Sequence, residues 1–465
     1  MIRIHPSDNV EINPDSGHKF ALRHIKKGED IIKYGYPIGH ATADIQAGEH
    51  VHTHNLRSSL SGSGVWEYTP KPAAETPQQS GTFSGYLRAD GSAGIRNELW
   101  IIPTVGCANC IAKVLADKMC ASGVPTKALT HQFGCSQLGG DLLMTQQILC
   151  GLIRHPNAGG VLVLGLGCEE NHIDLLKGVL GDYDAQRVRF LNLQDCGDEI
   201  AEGMTILHEL SERMNQDIRC NIPLSKLRIG IKCGGSDGYS GITANPLVGR
   251  TMERFAAHGS TILMTEIPES FGAEQTLLSR STDRAVFDEA AGMIRRFREY
   301  YISHGEGISD NPSPGNVAGG ITTLEEKSLG CVQKGGHVPL CGALEYGVTP
   351  PRTGGLYLVD GPGNDLVACT NLTAAGAHMI LFTTGRGTPL CAPVPTLKIA
   401  TNSRLTAIKP HWIDFAAGVL LEGVDMDDLS GRLMQVCLDC AGGVPTEGEK
   451  RGYFDIAIFK NGVTL

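Results

Sequence analysis

The feature of this sequence that most constrains its fold is an alternation of short apolar runs with longer amphipathic segments, beginning near residue 99. Segments with helical periodicity, such as DLLMTQQILCGLIRH and DRAVFDEAAGMIRRFREYY, separate runs rich in Val, Ile and Leu. This alternation is typical of βαβ units, in which helices cover both faces of a parallel sheet. The predicted strands are LWIIPTV, KALT, GVLVLGL, VRFLNL, LRIGIK, STILMT, GLYLVD and HMILFT. The sequence therefore predicts an α/β fold with a Rossmann-like parallel-sheet region.

The N-terminal part of the chain has a different pattern. Up to residue 66, short β-rich pieces are separated by the turn signals KKGED and QAGEH, which predict a small all-β domain. Residues 67–83, EYTPKPAAETPQQSGTF, lack a periodic apolar pattern and are typical of an extended linker. We therefore predict an all-β domain over 1–66, a linker over 67–83, and two α/β domains over 84–220 and 221–465.

Charge and hydropathy argue against several classes of function. The formal net charge is -10, whereas a nucleic-acid-binding protein normally concentrates Lys and Arg on one face. No apolar run approaches the roughly 18 residues that span a bilayer, and the N-terminus lacks the features of a signal peptide. We expect a cytoplasmic protein with small-molecule ligands and neither nucleic-acid nor membrane partners.

Fifteen cysteines in a chain without an export signal do not predict a disulfide framework, because the cytosol keeps thiols reduced. Five of them directly follow predicted strands: Cys107, Cys135, Cys168, Cys196 and Cys233. If the strands share one sheet, these thiols gather along its carboxyl edge, where open parallel sheets bind ligands. A single cysteine is more often a small buried hydrophobe. Their repetition at equivalent places favours ligands for iron, as a single ion or a cluster, over magnesium or calcium.

Two further stretches carry candidate functional groups. GYLRADGSAGIRN places Arg88 and Arg96 among glycines, where guanidinium groups could bind a carboxylate in bidentate fashion. A turn whose arginines pair with surface carboxylates explains this pattern equally well. GEHVHTHNL places His50, His52 and His54 at alternate positions, so an extended chain directs them to one face. The histidines on that face bind a metal, act on a substrate, or are simply half-exposed on an edge strand.

Several long motifs together resemble the altronate dehydratase and galactarate dehydratase family of sugar-acid dehydratases. They include GYLRADGSAGIRN, FGCSQLGGD, CGGSDGYSGITANPLVG, LFTTGRGTP and the ending DIAIFKNGVTL. The N-terminal HKFALRHIKKGEDIIKYGYPIG is similar to the SAF-type β-clip domain that opens these enzymes. The resemblance covers essentially the whole chain. It implies elimination of water from a polyhydroxy acid to give a 2-keto-3-deoxy acid, an iron requirement, and a homodimer formed by the catalytic part.

The resemblance also suggests which residues hold the metal and transfer protons. FGCSQ, LGCEEN and LGCVQKGG form an altronate-like pattern, which makes Cys135, Cys168 and Cys331 candidate ligands for Fe²⁺ or an iron–sulfur cluster. With the metal among the cysteines, His52 and His54 become candidates for proton transfer, carried by a mobile domain that covers the crevice.

Four residues are candidates for substrate contacts: Arg88 and Arg96 for the carboxylate, Asp237 and Asn245 for hydroxyl groups. The favoured reaction is dehydration of D-altronate to 2-dehydro-3-deoxy-D-gluconate. The alternatives are dehydration of galactarate, which is an aldarate, and elimination of sulfite from sulfolactate. The last alternative belongs to another functional class: a non-catalytic binding protein that contains a metal.

Overall fold

The structure is a computed structural model that describes residues 1–60, 64–70, 79–308 and 311–462. Residues 71–78, within the predicted linker, lie outside the described residues. The described part of that linker contacts the catalytic region, because the Gln275 side chain donates to the Glu67 carbonyl at 2.9 Å and the Tyr68 ring packs on Phe287. In the described residues, no helix is both long and apolar enough to cross a membrane.

Residues 1–60 form an all-β unit, called here the N-terminal module. Its strands are β1 (Val10–Ile12), β2 (Lys19–Ala21), β3 (Asp30–Lys33), β4 (Tyr36–Ala41), β5 (His50–Val51) and β6 (Leu56–Arg57). They make two antiparallel sheets, in the orders β1-β2-β5 and β3-β4-β6. Gly28 and Gly48 adopt positive φ angles in the turns KKGED and QAGEH. The predicted small all-β domain is therefore confirmed.

A four-stranded parallel sheet forms the centre of the next unit, called the four-stranded domain. Its strands are β9 (Glu98–Pro103), β10 (Thr126–Ala128), β11 (Ala158–Gly165) and β12 (Val188–Asn192), in the order β10-β9-β11-β12. Its helices are α1 (Asn109–Ala121), α2 (Gly139–Ile153), α3 (Ile173–Leu180) and α4 (Glu199–Met214). A small antiparallel sheet flanks it, made of β7 (Thr82–Leu87), β8 (Ala93–Gly94) and β13 (Cys220–Pro223).

A seven-stranded parallel sheet forms the centre of the last unit, called the seven-stranded domain. Its strands are β14 (Arg228–Cys233), β15 (Thr261–Met264), β16 (Leu340–Leu344), β17 (Gly355–Val359), β18 (Met379–Thr384), β19 (Thr396–Ala400) and β20 (Phe415–Ala416). Its helices are α5 (Ala244–Ala257), α6 (Glu274–Leu278), α7 (Arg284–Ser303), α8 (Pro314–Ala318), α9 (Leu324–Cys331), α10 (Asp365–Ala374), α11 (Ser403–Ile408) and α12 (Met426–Ala441). The strand order is β16-β17-β15-β14-β18-β19-β20.

The predicted α/β class is confirmed, and all eight predicted runs contain parallel strands. The strands belong to two sheets, however, so the five loop cysteines do not share one edge. Cys107, Cys135, Cys168 and Cys196 follow strands of the four-stranded sheet, whereas Cys233 ends β14 of the other sheet. The strand β19 was not predicted because Lys398 interrupts its apolar pattern, although this lysine is buried.

A buried group of three charges holds the N-terminal module on the seven-stranded domain. Glu326 accepts from Lys33 at 2.7 Å and from Lys19 at 2.8 Å, and all three side chains are at most 1% exposed. Burial alone would raise the pKa of Glu326, but the two ammonium groups hold it well below its usual range. The Thr323 hydroxyl adds a hydrogen bond to the Ile38 carbonyl at 2.6 Å. The predicted mobile domain is therefore docked in this structure.

Glu326→Gln is expected to loosen this docking, because it leaves two buried ammonium groups without a compensating charge. Breaking a buried ion pair costs about 3–5 kcal/mol, so the apparent free energy of unfolding should fall by about that amount. Chemical denaturation and the rate at which a protease releases the N-terminal module measure the change. Glu29→Gln is the matched control, since Glu29 pairs with exposed Arg23 at the surface. Equal stability of the two variants would contradict the role of the buried group.

Candidate active site

The strand order of the seven-stranded sheet creates a crevice at one defined place. β15 lies on one side of β14 and β18 on the other, so the chain changes direction across the sheet between β14 and β18. In open α/β sheets, ligands bind outside the carboxyl ends of the strands at such a switch point. The loops that follow these two strands are joined there, because the Gly235 carbonyl accepts from the amides of Gly385 and Arg386 at 3.1 and 3.0 Å.

A glycine allows a buried carboxyl group to reach this junction. A Cβ atom at Gly385 would lie 2.2 Å from Cγ of Asp237, so a larger residue would displace the aspartate. The Asp237 carboxylate accepts from the Thr401 hydroxyl at 2.9 Å and from the Asn402 amide at 3.1 Å. Burial raises the pKa of Asp237. The aspartate is thus fixed at the end of β14 by groups that follow β19.

The N-terminal module carries a cluster of four histidines, and one of them, His18, lines a cavity at the same crevice together with Asp237. The pairing of β2 with β5 brings His18 Nδ1 to 3.0 Å from His50 Nε2. The His52 ring stacks on His18 and His50, with centroid distances of 5.4 and 5.3 Å, and the His54 ring lies 5.7 Å from His50. β5 ends at Val51, so the predicted single strand through all three alternate histidines is wrong. The following turn nevertheless keeps their rings together.

The histidine cluster is connected to the catalytic region, and the pKa values of three of its imidazoles are lowered. Nε2 of His52 donates to the Val317 carbonyl in α8 at 3.1 Å. Burial lowers the pKa of His18 and of His52. Burial and the neighbouring imidazoles lower the pKa of His50 to about 4. Neutral imidazoles are able to accept protons, which is the property a general base needs.

A cavity of about 870 Å³ lies between the histidine cluster and the crevice. His18, Asp237, Arg386 and Asn402 contribute to its wall. Arg404 and Lys409 add positive charge to the same wall. The cavity therefore combines a histidine, hydrogen-bonding groups and cations, and its size is in the range typical of small-molecule sites.

A second cavity, of about 680 Å³, lies on the other side of α8. Cys233, Asn316 and Asp365 contribute to its wall, together with an ion pair between Glu269 and Lys327 at 2.9 Å. Asn316 belongs to α8, whose carbonyl at Val317 binds His52. The helix therefore separates two polar cavities that both open at the carboxyl edge of the seven-stranded sheet.

Beside the second cavity lies a buried group that contains two thiols. Sγ of Cys233 and Sγ of Cys331 are 3.7 Å apart, and Lys334 Nζ lies 2.9 and 2.7 Å from them. The hydrogen bond with Cys331 and the Lys334 ammonium lower the pKa of Cys233, whereas the same thiol–thiol hydrogen bond raises the pKa of Cys331. The Glu266 carboxyl lies 3.6 Å from Lys334, and burial raises its pKa to about 7.

Cys233, Glu266 and Cys331 are the one set of three described residues whose ligand atoms all lie within 4.8 Å of one another. Thiolate and carboxylate donors are suited to iron. The Lys334 ammonium, however, lies against both sulfur atoms, where an ion bound by both would have to lie. It also supplies the positive charge that a buried thiolate requires. With Lys334 in place, this group does not fit a metal ion.

The structure does not bring the three predicted metal ligands together in one such set. Cys331 is buried at the end of α9, with Cys233 and Lys334. Cys135 and Cys168 are exposed, in the loops after β10 and β11 of the four-stranded domain.

The predicted substrate-binding arginines lie in neither cavity. The guanidinium of Arg88 is buried and donates to the Pro156 carbonyl at 2.9 Å and to Asp217 at 2.5 Å. Arg96 forms a bidentate pair with Glu449, at 2.7 and 2.9 Å, which attaches the four-stranded domain to the segment after α12. The physical reason is that bidentate arginine recognition serves an internal carboxylate as well as a ligand.

The predicted polar contacts are divided between two environments. Asp237 lines the first cavity, as described above. Asn245 is buried in α5, where its amide donates to the Gly330 carbonyl at 3.0 Å and its oxygen accepts from Thr383 at 2.7 Å. Both polar atoms of Asn245 are therefore engaged by the protein.

Sequence reasoning did not single out His18 or Arg386, whereas Asn402 stands in GTPLCAPVPTLKIATN, a stretch whose polar groups already suggested ligand contacts. The signal for Arg386 was present, because LFTTGRGTP places it directly after the predicted strand HMILFT. His18 carried no comparable signal, since its proximity to His50 depends on the pairing of β2 with β5.

Comparison with known protein families identifies all three units. Residues 224–464 match the family described as D-galactarate/Altronate dehydratase, C-terminal. Residues 85–215 match the D-galactarate dehydratase/Altronate hydrolase, second domain, and residues 11–59 match the Altronate/galactarate dehydratase SAF domain. The chain belongs to the D-galactarate/altronate dehydratase family. The resemblance read from the sequence motifs is thereby confirmed.

Three members of this family are similar to the chain over nearly its whole length. Altronate dehydratase of Bacillus subtilis (strain 168) is 48% identical, over 98% of this chain and 94% of that protein. Altronate dehydratase of Escherichia coli (strain K12) is 47% identical, over 100% and 99%. Galactarate dehydratase (L-threo-forming) of Escherichia coli (strain K12) is 30% identical, over 95% and 92%. Identity is thus much higher to the two altronate dehydratases than to the galactarate dehydratase.

Proposed function

We propose that this protein is a hydro-lyase that removes water from the hexonate D-altronate and gives 2-dehydro-3-deoxy-D-gluconate. The observation that carries the proposal is the identity of 47–48% to two altronate dehydratases across the full chain. The first cavity supports it, because it combines an imidazole whose pKa is lowered by burial, cationic side chains and hydrogen-bonding groups. These are the groups that a polyhydroxy carboxylate requires.

The substrate carboxylate is assigned to Arg386. Its guanidinium is exposed at the cavity wall and donates to the Gly315 carbonyl at 3.3 Å. Arg88 and Arg96, by contrast, are bonded to internal acceptors. Asp237 and Asn402 face the same cavity and supply acceptors and donors for the hydroxyl groups. His18 lines the same cavity, so a substrate held there by Arg386 shares that cavity with one imidazole of the histidine cluster.

Proton transfer is assigned to the histidine cluster. A neutral imidazole accepts the proton on the carbon α to the carboxylate, and an imidazolium donates a proton to the hydroxyl that leaves the β-carbon. The products are water and an enol, which tautomerises to the 2-keto-3-deoxy acid. His18 lines the cavity, and His52 stacks on His18 while it holds α8. His54, the other catalytic residue predicted from the sequence, is exposed beside His50.

Iron is the proposed Lewis acid, and when bound it would stabilise charge on the carboxylate and polarise the leaving hydroxyl. The exposed thiols of Cys135 and Cys168 are the predicted ligands whose surroundings fit it. Cys331 is less suitable, because Lys334 lies against its sulfur atom.

We also propose that the protein is cytoplasmic and forms a homodimer, as the sequence led us to expect. Light scattering of the purified protein measures the oligomeric state.

A panel of sugar acids tests the proposed reaction. The protein, reconstituted anaerobically with iron, is incubated with altronate, its epimeric hexonates, galactarate and sulfolactate, and 2-keto-3-deoxy acids and sulfite are measured. We expect altronate to give the highest kcat/KM. A preference for galactarate, or release of sulfite from sulfolactate, would replace altronate dehydration as the function. Absence of product from every acid would favour a binding protein.

Variants of the histidine cluster test the proton-transfer assignment. His18→Gln and His52→Gln are expected to lower kcat by about 10²–10⁴, the usual contribution of general acid–base catalysis. In the unmodified protein, kcat/KM should fall as the pH decreases below 6.5, because the imidazoles must lose their protons to act and their pKa values are lowered. His54→Gln is made in parallel. A larger loss in His54→Gln than in the other two variants would overturn this assignment.

Arg386→Gln and Arg88→Gln distinguish the cavity arginine from the buried one. Loss of a charged hydrogen bond of about 1.5–3 kcal/mol should raise KM for the hexonate about tenfold to a hundredfold in Arg386→Gln, with little change in thermal stability. Arg88→Gln should lower thermal stability, since it breaks the pair with Asp217, and keep KM close to that of the unmodified protein. The opposite outcome would return the carboxylate contact to Arg88.

A further inference from the structure

Three exposed cysteines lie at one edge of the four-stranded domain. Cys107, Cys135 and Cys168 follow β9, β10 and β11, which are neighbours in the order β10-β9-β11. Because the strands are parallel, their carboxyl ends meet at the same edge of the sheet. The thiols therefore lie on three adjacent loops, although Cys135 is 28 positions after Cys107 and Cys168 is 33 positions after Cys135 in the sequence.

Backbone hydrogen bonds hold these three loops against one another. The Gly106 amide donates to the Phe133 carbonyl at 3.0 Å, which joins the residue before Cys107 to the Cys135 loop. The Asn171 amide donates to the Gly134 carbonyl at 3.0 Å, which joins the Cys135 loop to the Cys168 loop.

The Cys135 loop, which lies between the other two in the hydrogen-bonded series, has a strained backbone at the residue after its cysteine. Ser136 has a φ of 57°, which is uncommon for a residue other than glycine and costs free energy. In this conformation its amide donates to the Glu170 carboxylate at 2.7 Å, two residues after Cys168. A Cβ atom at Gly134 would lie 2.0 Å from the Thr104 carbonyl oxygen, so this glycine allows the first two loops to touch. The surrounding hydrogen bonds therefore fix a local geometry that isolated loops would not adopt.

Each of the three cysteines lies in the loop directly before a helix, α1, α2 or α3. The positive end of a helix dipole therefore points towards each loop, which suits an anionic group bound there. The Gln194 amide donates to Sγ of Cys168 at 3.5 Å, as donors around metal-bound sulfur commonly do.

Other cysteines in the domain lack this combination. Cys196 follows β12, but its thiol donates to the Asn192 carbonyl at 3.1 Å, and burial and nearby carboxylates raise its pKa. Cys110 and Cys120 are exposed but belong to α1 rather than to a loop at the sheet edge. Cys150 is buried within α2.

We infer that Cys107, Cys135 and Cys168 are the three protein ligands of an iron–sulfur cluster. Cys107 thus replaces Cys331, the third ligand that the sequence motifs suggested. The inference rests on the proposed function, since that function supplies the need for iron, and it identifies which residues hold the iron. A single ion gathers its ligand atoms within about 4 Å of one another, whereas a cluster binds cysteines that lie further apart. Three thiolates leave one iron of a four-iron cluster without a protein sulfur ligand.

The three-cysteine edge is connected to the second cavity by the C-terminal segment. Asp141, in the first turn of α2 after the Cys135 loop, accepts from the amides of Asn461 and Gly462, each at 2.8 Å. Phe459, two residues before Asn461, lines the second cavity. The segment therefore joins the proposed cluster to the polar crevice of the seven-stranded domain.

Anaerobic reconstitution with ferrous iron and sulfide tests the inference without an activity assay. Iron, acid-labile sulfide and visible absorption are measured for the unmodified protein and for Cys107→Ser, Cys135→Ser and Cys168→Ser. We expect equal amounts of iron and sulfide in the unmodified protein, and about a tenfold or greater loss of both in each variant. Cys110→Ser and Cys331→Ser are the matched controls and should retain both.

Alkylation with iodoacetamide, mapped by mass spectrometry, tests the same ligands in the unmodified protein. Cys107, Cys135 and Cys168 should be modified before reconstitution and protected after it, while exposed Cys110 and Cys120 are modified in both states. Full modification of Cys107 after reconstitution, or loss of the cluster in Cys331→Ser, would overturn the inference. So would binding of iron without sulfide. A loaded cluster with no dehydration of any sugar acid would instead contradict the proposed function alone.

Discussion

The organisation of the site depends on one carboxylate that neutralises two buried ammonium groups. Glu326 lies at the start of α9, in the seven-stranded domain, and its two partners, Lys19 and Lys33, belong to the N-terminal module. A buried charge is tolerated when it is paired and fully hydrogen-bonded. Glu326 also accepts from the amide and the hydroxyl of Thr322, and Lys19 donates to the Gly320 carbonyl. The module is therefore held in one orientation by directional bonds as well as by apolar contact.

That orientation determines the chemistry of the histidine cluster. Lys19 is the residue after His18, so the ion group and the histidine are placed by the same strand, β2. When Lys19 is fixed against α9, His18 reaches the first cavity and His52 reaches α8. The resulting burial is what lowers the pKa values of both histidines. An N-terminal module free in solution would expose these imidazoles and return their pKa values towards the ordinary range.

The sequence predicts those features that depend on neighbouring residues along the chain. Apolar runs predict strands, and the turns around Gly28 and Gly48 predict the all-β module, because both signals are local. The sequence does not show which strands share a sheet, so it placed Cys233 with the cysteines of the other domain. Nor does it distinguish an arginine bound to an internal carboxylate from one that faces a ligand. Arg96 and Arg386 both follow glycine-rich patterns, but the carboxylate of Glu449 lies 353 residues away from the first.

The two groups of cysteines differ in their surroundings, and this difference is why we assign the proposed cluster to the exposed group. Cys233 and Cys331 share a proton in the protein interior beside the Lys334 ammonium, so this group is complete without an ion. Cys107, Cys135 and Cys168 are exposed, in the loops before α1, α2 and α3. Exposed thiols are prone to oxidation unless a ligand covers them. Three strands, a strained serine and close glycine contacts hold these thiols together, and a cofactor that binds all three gives that arrangement a physical reason.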